Sequence, residues 1–193
     1  LPGELTWDNR DDPLDATKGL FLNFGLEPFA GLQGTSDGVR LTFDGRSYFS
    51  LGRVVLAGRL QLGALSGPEI DNAPQDMLFF AGGGGTVRGQ PFQALGVTLD
   101  DDRFVGGRSF LGVQAEVRGS ITDTIGLVGF VDAGYVGEES SIDGSGEWIS
   151  GAGIGIRYDT GIGPIRVDLG LPVSGTPDDA PAVQVYIGIG QAF

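Results

Sequence analysis

Long stretches of strict two-residue alternation run through this chain, and a pattern of that period restricts it to β-structure. Across residues 183–193 one face carries Val183, Val185, Ile187, Ile189 and Phe193, and the other Gln184, Tyr186, Gly188, Gly190 and Ala192. Across 165–173 one face is wholly aliphatic while Arg166 and Asp168 lie opposite. Segment 109–121 sets Leu111, Val113, Ala115, Val117 and Ile121 against Gln114, Glu116, Arg118 and Ser120. The same alternation recurs near 4–10, 18–28, 39–49, 53–64, 125–136 and 148–159. The pattern predicts about nine strands, most about 10–13 residues long, where ordinary globular strands average about five or six. A strand of about 9–11 residues tilted by about 45° is what crosses a bilayer.

The charges follow the alternation. Arg10, Arg40, Arg46, Arg53, Arg59, Arg118, Arg157 and Arg166 share the polar face of their strands, as do Asp8, Glu27, Asp44, Glu116, Asp132, Asp159 and Asp168. These sets nearly balance, so the acidic excess behind the net charge of −13 falls in the connections: Asp11, Asp12 and Asp15, then Asp100 to Asp102, then Glu138, Glu139, Asp143 and Glu147. A soluble β-sandwich would bury the aliphatic face. A membrane barrel turns that face to lipid and lines its lumen with the charges. Strand length favours the barrel. The connections alternate as well: short near 50–52, 122–124 and 160–163, long near 29–38, 65–108, 137–147 and 174–181. Outer-membrane barrels pair short periplasmic turns with long outer loops. With the C-terminus at the periplasmic side, every short link lands inside and every long one outside, and the Asp11–Thr17 link also lands inside although it is longer than the other turns. An odd strand count departs from the even number of single-chain bacterial barrels, and an open edge in lipid is prohibitive, so further strands are expected from elsewhere.

Composition removes several classes of function. The chain has no Cys and no His, hence no disulfide, no thiolate site, no Ser-His-Asp triad and none of the usual zinc sites. Its negative charge argues against nucleic acid as a partner. Gly makes up 36 of 193 residues, which disfavours long helices, and no apolar run reaches the roughly 18 residues of a membrane helix. The first residue is not Met and no basic-then-apolar leader precedes the alternation, so the chain reads as a mature or excised portion. No cofactor and no metal site are expected. Asp100, Asp101 and Asp102 lack EF-hand spacing and read as a solvated loop. Gly161, Ile162 and Gly163 form a turn, since no helix pattern follows them. Trp7, Tyr48, Trp148 and Tyr158 lie near strand ends, where a barrel carries its aromatic girdles.

The long link at 65–108 contains Phe79-Phe80-Ala81-Gly82-Gly83-Gly84-Gly85-Thr86-Val87-Arg88-Gly89-Gln90-Pro91-Phe92. This resembles the signature loop of the bacterial outer-membrane protein insertase superfamily, the group of BamA, TamA and the two-partner secretion transporters, in which an aromatic-Ala-Gly-Gly stretch precedes Val/Ile-Arg-Gly-aromatic. Residues 6–19, with Trp7-Asp8-Asn9-Arg10-Asp11-Asp12-Pro13, are similar to the family's strand-turn-strand ahead of that loop. Gly161-Ile162-Gly163-Pro164-Ile165-Arg166-Val167-Asp168 is similar to its penultimate turn, and the terminal Gly190-Gln191-Ala192-Phe193 to its C-terminus. The wording is nearest to TamA-type members. Position 90 is Gln where most members carry Tyr or Phe, and Phe92 follows two residues on. The resemblance implies an antiparallel transmembrane β-barrel of about sixteen strands, of which this chain supplies about the last nine, in the outer membrane of a Gram-negative bacterium. It also implies that loop 65–108 folds back into the lumen.

Physically, Gly82, Gly83, Gly84 and Gly85 permit close approach of the loop to a wall. Arg88 is the only charge between Asp76 and Asp100, and a guanidinium inside a lumen needs carboxylate partners. Glu116 and Asp132 point inward by parity on the two strands after the loop, and they match the positions of the acidic residues that meet the family's loop Arg. Val87, Arg88, Gly89, Gln90 and Phe92 are therefore the expected motif, with Arg88 bound to Glu116, Asp132 or both. The resemblance further implies a lateral seam along 182–193, through Val185, Ile187, Gly188, Gly190 and Phe193, that inserts client outer-membrane or autotransporter proteins beside the lipid bilayer, together with a periplasm-spanning partner. It implies no covalent step and no enzymatic activity. A two-partner secretion transporter, a passive porin or structural barrel, and a soluble β-sandwich binding module remain as the alternative readings.

Overall fold

The computed structural model describes residues 1–31, 36–100, 102–175 and 182–193. Parts of two long links (32–35 and 176–181) and Asp101 of the acidic run lie outside the described residues.

The chain is all-β. One antiparallel sheet of nine strands follows the sequence without crossover: β1 (Gly3–Asp8), β2 (Gly19–Phe29), β3 (Gly38–Leu51), β4 (Val54–Ser66), β7 (Ser109–Ser120), β8 (Ile125–Gly137), β9 (Glu147–Tyr158), β10 (Ile165–Ser174) and β11 (Gln184–Ile189). Two short strands, β5 (Val97–Thr98) and β6 (Phe104–Val105), pair with each other inside the connection between β4 and β7. Short links join β3 to β4, β7 to β8 and β9 to β10 at one end of the sheet, where the ten-residue link between β1 and β2 also lies, and the other long links lie at the opposite end.

The pleat sorts the side chains as the alternation requires. The aliphatic parity (Leu20, Leu22, Phe24 and Leu26 on β2, Val113 and Val117 on β7, Ile154 and Ile156 on β9, Val185, Ile187 and Ile189 on β11) is exposed along the whole outer face. The polar parity is covered over the middle of the sheet, while Asp8 and Asp159 stay exposed. Gln114, Glu116, Arg118, Asp132, Arg157 and Asp168 are all buried, because the β4–β7 connection folds over the inner face instead of standing away from the sheet. Its apolar residues Ile70, Leu78, Phe79, Val87 and Leu95 pack with Leu65, Phe110, Val136 and Ile149 of the wall at the long-link end. Phe79 stacks on Phe110 with centroids 6.2 Å apart.

The structure corrects three expectations. The last strand does not continue to residue 193. It stops at Ile189, Gly190 adopts φ +83°, and the tail turns inward, so that Phe193 is 6 % exposed instead of sharing the outer face with Ile189. Only Gly tolerates that dihedral cheaply, and the local break outweighs a hydrophobic period that reads on past it. Tyr48 is not a girdle residue: it is buried on the inner face against Phe193, with Ala16 and Ala57 beside it. Arg53 lies in the β3–β4 turn and pairs with Asp123 of the neighbouring turn at 3.3 Å, outside the inner face.

Candidate functional site: the buried arginine of the long loop

Within the connection after β4, three isolated antiparallel bridges pair Phe79 with Gly107, Ala81 with Leu95 and Gly83 with Val87. These give the loop a backbone framework of its own. Gly82 and Gly83 have positive φ, while Gly84 faces the ring of Tyr186 and the Gly85 carbonyl accepts from Arg59 Nη1 at 3.2 Å. The turn presents Arg88 to the sheet at 1 % exposure.

Arg88 is held on every side. Its Nε and Nη2 donate to Asp132 Oδ2 and Oδ1 at 2.7 and 2.9 Å, and its backbone N–H adds a third bond to Oδ2 at 3.0 Å. Nη1 donates to Glu116 Oε1 at 2.5 Å. Asp168 Oδ2 lies 3.7 Å from Nη1, too far for a hydrogen bond, and contributes charge alone. The guanidinium stands 3.7 Å from the centroid of the Phe130 ring. A planar fork on a carboxylate and an aromatic face is the environment that suits Arg and not Lys.

The carboxylates around Arg88 are shared. Glu116 Oε2 accepts from Arg118 Nε at 2.7 Å, and Asp168 Oδ1 accepts from Arg157 Nη1 at 2.5 Å. Arg88, Arg118 and Arg157 thus match Glu116, Asp132 and Asp168 charge for charge. That balance is the condition for burying charges without a large desolvation penalty. Arg118 also donates to the carbonyls of Ala16 at 3.3 Å and Phe193 at 3.1 Å, and Arg157 Nε to Gln191 Oε1 at 2.7 Å.

The wall is shaped for the loop. A Cβ at Gly151 would collide with the Arg88 carbonyl oxygen, and one at Gly170 with the backbone of Gly89. Gly89 itself, at φ +93°, lies against the backbone of Leu171. Gln90 is fully buried, at the position where the resemblance led us to expect an aromatic residue. Its side-chain amide donates to the carbonyls of Ser150 and Ser174 at 2.8 and 2.9 Å, beside the register shift between Pro172 and Ser174. Phe92 does not enter that place and is 80 % exposed. Val87 is buried in the apolar cluster, where a Cβ added at Gly134 would strike it.

Val185 and Ile187 lie exposed on the outer face of β11, and Gly188 lies against Arg166 on the inner face. Gly190 and Phe193 have left the strand for the interior. Sequence reasoning did not single out Tyr186, Arg118, Arg157, Asp168 or Gln191 as parts of the site. Inward parity was the available signal for Tyr186, Arg118, Arg157 and Asp168, whereas Gln191 falls on the outward parity of the last strand and gave none.

Outside the strands, Asp11 closes the link between β1 and β2. Partial burial opposes its ionisation, but the hydroxyl and backbone N–H of Thr17 and the N–H of Lys18 bond to it and hold its pKa down at about 2. Asp159, beyond the end of β9, is pushed up by burial and by the neighbouring charge of Asp15. No group of three or more carboxylates among the described residues is arranged to hold a metal ion.

A curved-off inner face lined with paired charges, an outer face of exposed aliphatics and strands of membrane-crossing length define a wall of a bacterial outer-membrane β-barrel. The Omp85 superfamily domain matches residues 1–193, and the chain belongs to the Omp85 superfamily. Among solved structures it is similar in fold to BamA from Haemophilus ducreyi lacking POTRA domains 1–3, with TM-score 0.76 and 18 % identity over 95 % of this chain. The chain spans 41 % of that structure's length.

Proposed function

We propose that the protein carrying this chain assembles or translocates other outer-membrane proteins, and that the last strand is one side of a lateral seam where a client strand adds. The observation that carries this reading is the loop motif locked by Arg88 inside the wall, in a chain of the Omp85 superfamily. Residues 1–193 are taken as the C-terminal part of the barrel, with the short turns periplasmic and the loops outward. Two features of β11 support strand addition. Within this chain its ladder to β10 ends at Ile189, and Gly190, at φ +83°, turns the tail away from the sheet. An exposed edge is the template for β-augmentation, and the exchange needs neither nucleotide nor covalent chemistry.

The packed loop favours a seam over passage of a partner through the interior. Opening the interior would require stripping Arg88 from Asp132 and Glu116 and the apolar residues from their cluster, whereas opening beside β11 leaves those contacts in place and bears on the loop through the Tyr186 hydroxyl. The test is Arg88→Ala in the full-length protein reconstituted in liposomes with a small outer-membrane barrel as client. Client assembly should fall much further than the amount of folded protein. Equal losses would reduce Arg88 to a stability residue.

A further inference from the structure

We infer that Tyr186 is a positioning residue that joins the motif loop and the last strand into one hydrogen-bonded unit, so that the loop held by Arg88 also holds β11 and its tail. The inference deepens the proposed function, and its meaning for client entry rests on that reading.

The geometry has two parts. At the loop, the Tyr186 hydroxyl accepts from the Gly89 N–H at 3.0 Å and donates to the Gln90 carbonyl at 3.4 Å. Gly89 and Gln90 directly follow the buried Arg88, so this single side chain of β11 grips the backbone of the motif. Its ring packs against Gly84, where an added Cβ would stand 3.0 Å from a ring carbon. At the other end of β11, the tail is held by the same charge cluster. Arg118, on the far oxygen of Glu116, reaches the Phe193 carbonyl at 3.1 Å. Arg157, on Asp168, reaches Gln191, whose amide nitrogen in turn bonds Asp15 at 2.9 Å. Backbone bonds from Gly190 to Pro164 and from Gln191 to Leu14 complete the anchorage.

These contacts matter because the ladder between β11 and β10 is short. It runs only from Gln184 to Ile189, while β7 and β8 pair from Ser109 to Ser120. A short ladder opens more readily than a long one, so a few side-chain bonds weigh in its population. Tyr186 bonds the loop's backbone and none of β11's own amides. Its removal can therefore loosen β11 only through the loop.

The experiment is backbone hydrogen exchange of the full-length protein in lipid nanodiscs, comparing wild type, Tyr186→Phe, Arg88→Gln and the double variant. Losing one such bond should speed exchange of the peptide over 184–191 about threefold to tenfold in Tyr186→Phe, with β8 unchanged. The double variant should exchange no faster than the faster single variant, since both act through one path. Unchanged exchange in Tyr186→Phe overturns the inference, as does acceleration spread evenly over β7 to β9, or effects that multiply in the double variant. No client takes part, so a failure here stands apart from a failure of the assembly assay.

Discussion

Replacing Asp132 by Ala should release the motif loop, and the release can be read by trypsin. Arg88 is its own reporter. No other Lys or Arg lies between Arg59 and Arg103, and Arg103 in the same connection is already half exposed. Cleavage after Arg88 therefore frees peptide 89–103, which an intact lock protects. Removing one partner of a buried ion pair costs about 3–5 kcal/mol. Asp132 takes three of the four hydrogen bonds that Arg88 makes to carboxylates, but Glu116 stays at 2.5 Å and Asp168 at 3.7 Å. The lower end of the range applies, about 3 kcal/mol, or roughly a hundredfold rise in the open population. Where the loop opens and closes quickly relative to cutting, release of the peptide follows that population. Mass spectrometry of a trypsin time course on folded, nanodisc-embedded protein supplies the measurement. A rate within about threefold of wild type would refute the claim that Asp132 holds the loop.

Three further outcomes follow from the same geometry. Gln90→Ala removes two hydrogen bonds, to the carbonyls of Ser150 and Ser174, and should lower the stability of the folded barrel by about 1–3 kcal/mol, read as a lower temperature for the heat-induced shift in gel mobility. Gly151→Ala places a methyl group on the Arg88 carbonyl, so it should expose the Arg88 cleavage site although every charged partner is intact. Asp11 has its pKa lowered to about 2, so its contribution to ordering the 9–18 link is complete above the ordinary carboxylate value near 4 and is lost as pH falls through about 2. Hydrogen exchange of that link should hold steady from pH 7 to about 4, once corrected for the intrinsic rate, and rise below it, whereas Asp11→Ala should already exchange fast at neutral pH.

The wall of this protein is legible in its alternation because each strand must separate a lipid-facing from an inward face, and period two records that directly. Glu116 and Asp132 could be placed on the inward face for the same reason, and the loop Arg beside them was implied by the family resemblance, since charge alone left it equally an exposed loop cation. Parity names a face but not a meeting point. Which inward side chains touch depends on strand stagger and on how deeply the loop descends, so the contacts of Asp168, Arg157 and Tyr186 were hidden. The inward turn of the tail was obscured by Phe193, which sits in phase with Ile189 although Gly190 breaks the strand between them. Gln90 was hidden in another way. Its role depends on a register shift near Pro172, and a bulge leaves no mark on the residues of a distant loop.

The most direct measurement is a crosslinking scan along β11 during client assembly. Single Cys residues at Val185 and Ile187, which lie exposed at the edge strand, would be paired with a small outer-membrane barrel carrying single Cys residues along its terminal strand. The account predicts disulfides in one strand register, appearing while the client assembles, that weaken in Arg88→Ala. Equal crosslinking from Leu60 on β4, in the middle of the sheet, or none from β11, would contradict it.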